Sequence, residues 1–365
     1  MSVRATPFHT RAAAANPGNS WITRNGFTLV QEYSGAAGEA MAARSHAILA
    51  DITWRWRIFL EGPQAAAFLS RLTTRDAEAL TPGNAHKALW LNDGGGLRGA
   101  GVIARYGRES FLLAAAAPDE KWIAEAAKLF DVRLRETDEG GLAIIGPYAQ
   151  AIVTAAGLDA SLKPLAFRKM FWRGIDVTLS RWGEHGGFEI WCNADDAVLV
   201  WDRIAKAGAA FGIQPAGTAA TDILDMEAGV ARPWRDYQPA TDDSGDEPSP
   251  KALRLEKLID NEHTRFNGRA GYLAASPRHR IAGIEFDCET AVPRVALYRE
   301  GAPVGRVLIS LYSPALQRAI GWAQVETSAA EPGTVLSFLP DAGAEPVLAQ
   351  VAGLPFLSTP APIAE

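Results

Sequence analysis

The chain has 365 residues, of which 48% are hydrophobic and 21% charged, enough for a core shared among two or three domains. Its net charge of −6 argues against a sequence-independent grip on nucleic acid. No apolar run reaches the roughly 18–20 residues of a membrane span, so no membrane partner is expected.

In chain order, residues 1–21 carry Arg4, Arg11 and Asn16 but no continuous apolar stretch, so no signal peptide is expected. Arg57–Gly62 reads as a strand ending in a turn, and Pro63 opens a helix predicted to run to Leu80. Leu89–Asp93 leads into the turn Gly94-Gly95-Gly96, and Gly101–Tyr106 and Ser110–Ala114 read as paired strands. Helices are predicted over Asp119–Phe130, Asp195–Phe211 and Gly217–Ala228, the last stopped by Gly229. Leu142–Ile145 is a strand closed by Gly146-Pro147. Five acidic residues, three prolines and a glycine make Asp236–Pro250 a predicted exposed, mobile loop. Beyond residue 278 six short alternating segments, from Ile281–Phe286 to Val347–Val351, predict a β-barrel or sandwich. An α+β region over 1–275 and an all-β domain over 276–365 follow.

The six histidines and two cysteines form no zinc spacing, and Cys192 and Cys288 lie too far apart to suggest a disulfide framework. No metal is expected, and a reducing cytoplasm is. Gly94-x-Gly96-x-x-Gly99 matches the dinucleotide fingerprint in letters, but a strand follows it where the fingerprint needs a helix. The segment Trp182-Gly-Glu-His-Gly-Gly-Phe188-Glu189-Ile190-Trp191 is more informative. Alternation puts Phe188 and Ile190 on one face and the Glu189 carboxylate on the other, beside a glycine turn. A carboxylate so placed can accept two parallel N–H donors. His185, whose ring titrates near neutrality, is the segment's best acid–base candidate.

Several ordered pieces resemble the folate-dependent aminomethyltransferase of the glycine cleavage system, the T-protein, and its demethylase relatives. They are Arg44–Asp51, Leu60-Glu-Gly-Pro63, Leu91-Asn92-x-x-Gly95-Gly96 and Gly146-Pro147-x-Ala149-Gln150. Trp182–Ile190, Asp222-x-Leu224-x-Met226-Glu227-Ala228-Gly229, Phe266-x-Gly268-Arg269 and Gly305–Leu316 continue the series. The resemblance implies an α+β, three-lobed body with a C-terminal β-barrel and tetrahydrofolate in a central channel. It places the pterin on Glu189, with Trp182, Phe188 and Asn92 as further cofactor-binding candidates. Departures from the pattern redirect the chemistry. Gly99-Ala100 stands where the T-protein has a pair of aspartates, Lys87 replaces a tyrosine and Thr221 an arginine. Arg232-Pro-Trp-Arg235-Asp236-Tyr237 replaces a Tyr-Gly pair. A cationic aminomethyl group wants a nearby carboxylate, whereas arginine and tryptophan suit a flat or anionic substrate. The expected activity is therefore methyl transfer from a small acid, foremost a methoxyaromatic one, to N5 of tetrahydrofolate. The alternatives are glycine-cleavage aminomethyl transfer or a fold turned to non-folate chemistry. His185 and Tyr237 are the candidate catalytic residues, and Arg235, Trp234 and Lys87 the candidate substrate contacts.

Overall fold

A computed structural model describes residues 3–241, 248–341 and 343–358. The alternating run Phe188–Asn193 forms a strand inside a six-stranded sheet. Its neighbours are Ile175–Ser180 and Glu139–Ile145, both antiparallel to it; beyond these lie Phe167–Trp172 on one side and Ala47–Asp51 with Ile213–Ala216 on the other. Phe188, Ile190 and Cys192 face a core built with helices Ala149–Ala155 and Ala197–Gly208. Trp191 faces the opposite way, toward a cluster built with helices Ala36–Ser45 and Thr218–Glu227. Both faces of this sheet are therefore covered, which is why the strand has no polar position except Glu189 before it reaches Asn193. A Cβ at Gly187 would lie 2.1 Å from the Ile144 carbonyl oxygen, so only glycine lets the chain enter the sheet this closely.

A second sheet, all antiparallel, runs in the order Ala85–Leu91, Leu97–Arg105, Ser110–Ala115, Trp56–Glu61, Arg133–Glu136. It packs on helices Ala65–Leu72 and Glu120–Ala127 through Phe68, Leu69, Phe111, Leu113 and Ile123. The first helix is eight residues shorter at its C-terminus than the sequence pattern suggests. Thr73 ends it: its hydroxyl bonds back to the Leu69 carbonyl at 2.9 Å, and Thr74 N–H bonds to the Leu89 carbonyl at 2.9 Å. Tertiary pairing with the sheet overrides the apolar pattern that continues to Leu80. The glycine-rich turn before Leu97 leads into a strand, as expected, and not into a helix.

Six strands close a barrel in the order His279–Phe286, Arg318–Glu326, Ala302–Ser313, Ala296–Arg299, Val335–Phe338, Val347–Val351. This is the C-terminal β-barrel of the three-lobed α+β architecture. Glu227, fully buried at the end of its helix, ties the lobes together: it accepts from Arg44 and from the Ser313 hydroxyl of the barrel. The expected mobile loop needs correction at both ends. Asp236, Tyr237 and Ala240 are buried. Ala240 N–H donates to the Leu97 carbonyl at 2.7 Å, and Leu97 N–H donates to the Pro248 carbonyl at 2.8 Å. Two backbone hydrogen bonds thus clamp the segment to a strand, and residues 242–247 lie outside the described residues. No described helix is long and apolar enough to cross a membrane.

Candidate functional site

A cavity of about 150 Å³ opens between the two sheets. One wall is Ala100, Gly101 and Val102 with Ala114–Ala116; the other is Trp182, Glu189 and Trp191. Trp54, Arg55, Arg57, Lys87, Glu184, Asp225 and Arg232 are among the other residues that line it.

Glu189 is 3% exposed, and its oxygens are heavily used. Arg55 Nη1 donates to Oε1, while the Trp182 and Trp191 indoles donate to Oε2 at 2.9 and 3.2 Å. A carboxylate offers about four acceptor positions, so one remains, on Oε1. The carboxylate and the flat indole-lined wall suit the edge and face of a pterin in position. In acceptor capacity they match it only once a resident donor lets go. Of the three donors, all at the cavity, Arg55 is the least buried: its side chain is 23% exposed, whereas Trp182 and Trp191 are 5% and 2% exposed. Arg57 lies behind, its guanidinium 3.9 Å from the centre of the Trp191 ring and its Nη1 on Glu139 at 2.7 Å.

The other carboxylates of the cavity are also paired. Glu184 holds the Lys87 ammonium. Asp225 holds Arg232 on one oxygen and His185 Nε2 on the other, the latter at 2.7 Å. The Asp225 carboxylate can only accept, so Nε2 must carry the proton. Burial, reinforced by Arg232, Arg55 and Arg44 against the opposing pull of Glu184, pushes the His185 ring down to about 4. It is neutral at pH 7 and has no imidazolium proton to give. Arg232 further pairs with Asp222, as do Arg24 and Arg235. Burial alone would push the Asp222 carboxyl up; Arg232, Arg24 and Arg235 outweigh it and hold it below its ordinary value.

The structure gathers Glu189, Trp182 and Lys87 at this cavity and places the remaining candidates elsewhere. His185 faces a smaller pocket with Arg44 and Leu224 and reaches the cavity only through Asp225. Phe188 packs in the core on the far face of its strand. Asn92 holds its own turn, its Oδ1 accepting from Gly96 N–H at 2.8 Å. Arg235 grips Asp236 with Nε and Nη2 at 2.6 and 2.7 Å and, with Tyr237, lines a separate cleft of about 1020 Å³ beside the barrel. The Tyr237 hydroxyl is buried and pushed above its ordinary range by burial and by Asp236. Trp234 is 57% exposed at a different small pocket, with Arg98 and Pro239.

Sequence reasoning did not single out Arg55, Arg57, Asp225 or Arg232 as a group. The one available signal was Trp54-Arg55-Trp56-Arg57, a run of alternating tryptophan and arginine that follows the Asp51 motif. Gly99 is explained by its surroundings: a Cβ there would lie 2.2 Å from Trp90 Cζ2, so the position admits no side chain while Trp90 keeps its place. Among the described residues no three His, Cys, Asp or Glu side chains are placed to hold a metal ion.

Comparison with known proteins agrees with this architecture. The GCVT N-terminal domain family model matches residues 9–244, and that of the glycine cleavage T-protein C-terminal barrel domain matches residues 279–357. An aminomethyltransferase of Chlorobium limicola is 30% identical over 330 residues, 86% of this chain and 89% of that protein. One from Bacillus subtilis is 31% identical over 341 residues, 87% of this chain and 90% of that protein. The crystal structure of aminomethyltransferase T of the Bartonella henselae glycine cleavage system shares the fold. Its TM-score is 0.88 at 23% identity, with 99% of both chains covered. The chain therefore belongs to the glycine cleavage T-protein family and is a one-carbon-group transferase of its tetrahydrofolate-dependent class.

Proposed function

We propose that this chain moves a methyl group from a small carboxylic acid, foremost a methoxyaromatic acid, to N5 of tetrahydrofolate. One observation carries the reading: every carboxylate at the cavity already holds a cation. Glu184 has Lys87, Glu189 has Arg55, and Asp225 has Arg232. No free carboxylate is left to steady a cationic aminomethyl group, and Gly99-Ala100 supplies none. Glu189 holds the pterin edge, with Trp182 and Trp191 setting its plane. Bound tetrahydrofolate supplies the N5 lone pair that takes the methyl group. When the methyl–oxygen bond of an aryl ether breaks, negative charge is left on the phenolic oxygen. The Lys87 ammonium lines the cavity and suits that charge. Cavity walls that fix methyl and N5 in line contribute by positioning. His185, neutral and hydrogen-bonded to Asp225, acts on the site by orienting that carboxylate. The free cysteines Cys192 and Cys288 suit a cytoplasmic setting.

A second reading, aminomethyl transfer, is favoured by the relatives' name. Incubating the protein with tetrahydrofolate and either 3- or 4-methoxybenzoate, or an S-methylated thioether acid, separates the two. Formation of 5-methyltetrahydrofolate is the expected result. Product only from a protein-bound aminomethyl donor, appearing as 5,10-methylenetetrahydrofolate, would establish the second reading instead.

A further inference from the structure

Arg55 stands at the join of two demands. Its Nη1 is spent on Glu189, which leaves Nε and Nη2 without a partner among the described residues, in a side chain that lines the cavity. That edge is the one arginine uses to grip a carboxylate with two parallel hydrogen bonds. Arg11 uses it on Asp202 at 2.6 and 2.6 Å, Arg98 on Asp119 at 2.9 and 2.8 Å, and Arg235 on Asp236 at 2.6 and 2.7 Å. At Arg55 that edge grips no carboxylate among the described residues, and its charge is taken up by Glu189.

Glu189 has one acceptor position left, and the pterin edge presents two donors. Trp182 and Trp191 are 5% and 2% exposed, so their indole N–H groups are more deeply buried than the Arg55 guanidinium. Arg55 is the donor that yields. A guanidinium released from its carboxylate inside a small cavity is costly unless another anion arrives.

We propose that Arg55 couples the two ligands of the site. The pterin displaces it from Glu189, and its freed guanidinium then takes the carboxylate of the methyl donor. The coupling rests on the reading of Glu189 as the pterin's partner and adds a specificity-determining residue to it. Folate and the anionic donor then bind with positive cooperativity, and an uncharged donor does not share in it. Linkage makes the effect reciprocal.

Calorimetric titration of 4-methoxybenzoate, with and without saturating tetrahydrofolate, tests this. The expected result is about a tenfold or greater tightening by tetrahydrofolate, within the roughly 5–150-fold range of such couplings. For 4-methoxybenzamide no tightening is expected. Arg55→Gln, which retains an N–H for Glu189, should remove the effect for the acid and leave the amide unchanged. Glu189→Gln should bind 4-methoxybenzoate tightly without any folate, because Arg55 has lost its counter-ion. This arm decides on Arg55 even if tetrahydrofolate does not bind the native protein, a result that would sink the pterin role of Glu189 by itself. Equal tightening of acid and amide overturns the proposal. So does coupling that survives in Arg55→Gln, or a Glu189→Gln variant no tighter than native for the acid. 6-Methyltetrahydropterin, which carries no carboxylate, separates the two sources of the anion. If it tightens the acid and tetrahydrofolate does not, the fork belongs to the glutamyl carboxylate of folate and the donor assignment falls.

Discussion

Glu189→Ala should be one of the more damaging single changes in this chain, and the structure gives the size. The substitution leaves the Arg55 guanidinium without its partner and two buried indole N–H groups without an acceptor. Removing one member of a buried ion pair costs about 3–5 kcal/mol. Arg55 is a quarter exposed, so about 3 kcal/mol applies. Each orphaned indole adds about 1 kcal/mol, the lower end for an unsatisfied donor. The sum, about 5 kcal/mol, is comparable with the whole stability of many domains. Arg55→Ala strands the buried carboxylate with its two indole donors and should cost about 3 kcal/mol. Because each single change spoils the same pair, the double variant should lose about 2 kcal/mol less than the two together. Urea unfolding followed by far-ultraviolet circular dichroism and tryptophan emission measures all three. If the losses add to within about 0.5 kcal/mol, Arg55 and Glu189 do not interact in solution, and the cavity chemistry built on that pair fails.

Two further outcomes follow from other parts of the site. His185 is held near 4 in the fold against 6.5 when unfolded, so the unfolded chain takes up a proton that the folded one refuses. Its contribution is complete above about pH 6.5 and is lost as pH falls toward 4, to a total of about 3 kcal/mol. His185→Gln should flatten that part of a stability–pH profile, and a profile unchanged by the substitution would show that the ring is not buried as described. Gly99→Asp should fail to restore an aminomethyl-type carboxylate, because its Cβ meets Trp90 at 2.2 Å. A loss of about 1–3 kcal/mol from overpacking is expected in urea melts, and an undamaged melt would show that Trp90 has room to move.

The barrel and the strand through Glu189 were legible because each rests on local alternation: period-two patterning and turn residues survive whatever packs around them. The Phe167–Trp172 and Ile175–Ser180 hairpin was not singled out, although Arg173 and Gly174 form its turn with φ of 50° and 92°. An Arg-Gly turn lacks the Asn or Asp that usually marks such a hairpin. The helix from Ala65 ended early because Thr73 bonds back to Leu69 and Thr74 bonds to a strand whose approach no local pattern announces.

By itself the sequence determined the α+β region followed by an all-β domain, the six barrel strands, the buried face of Phe188 and the carboxylate opposite it, while the three-lobed arrangement was implied by the family resemblance. The strands and their faces follow from residue type and spacing within each segment. Only the tertiary structure decided which charges meet. Arg55 and Glu189 are 134 residues apart, Lys87 and Glu184 97, His185 and Asp225 40. An ion pair depends on distance in space, and the packing of two sheets sets that distance. Glu189 was visible in the sequence as a carboxylate on the face opposite Phe188, and only the family resemblance assigned it to a binding site. That it arrives already holding an arginine, with one acceptor position to spare, was fixed by the fold.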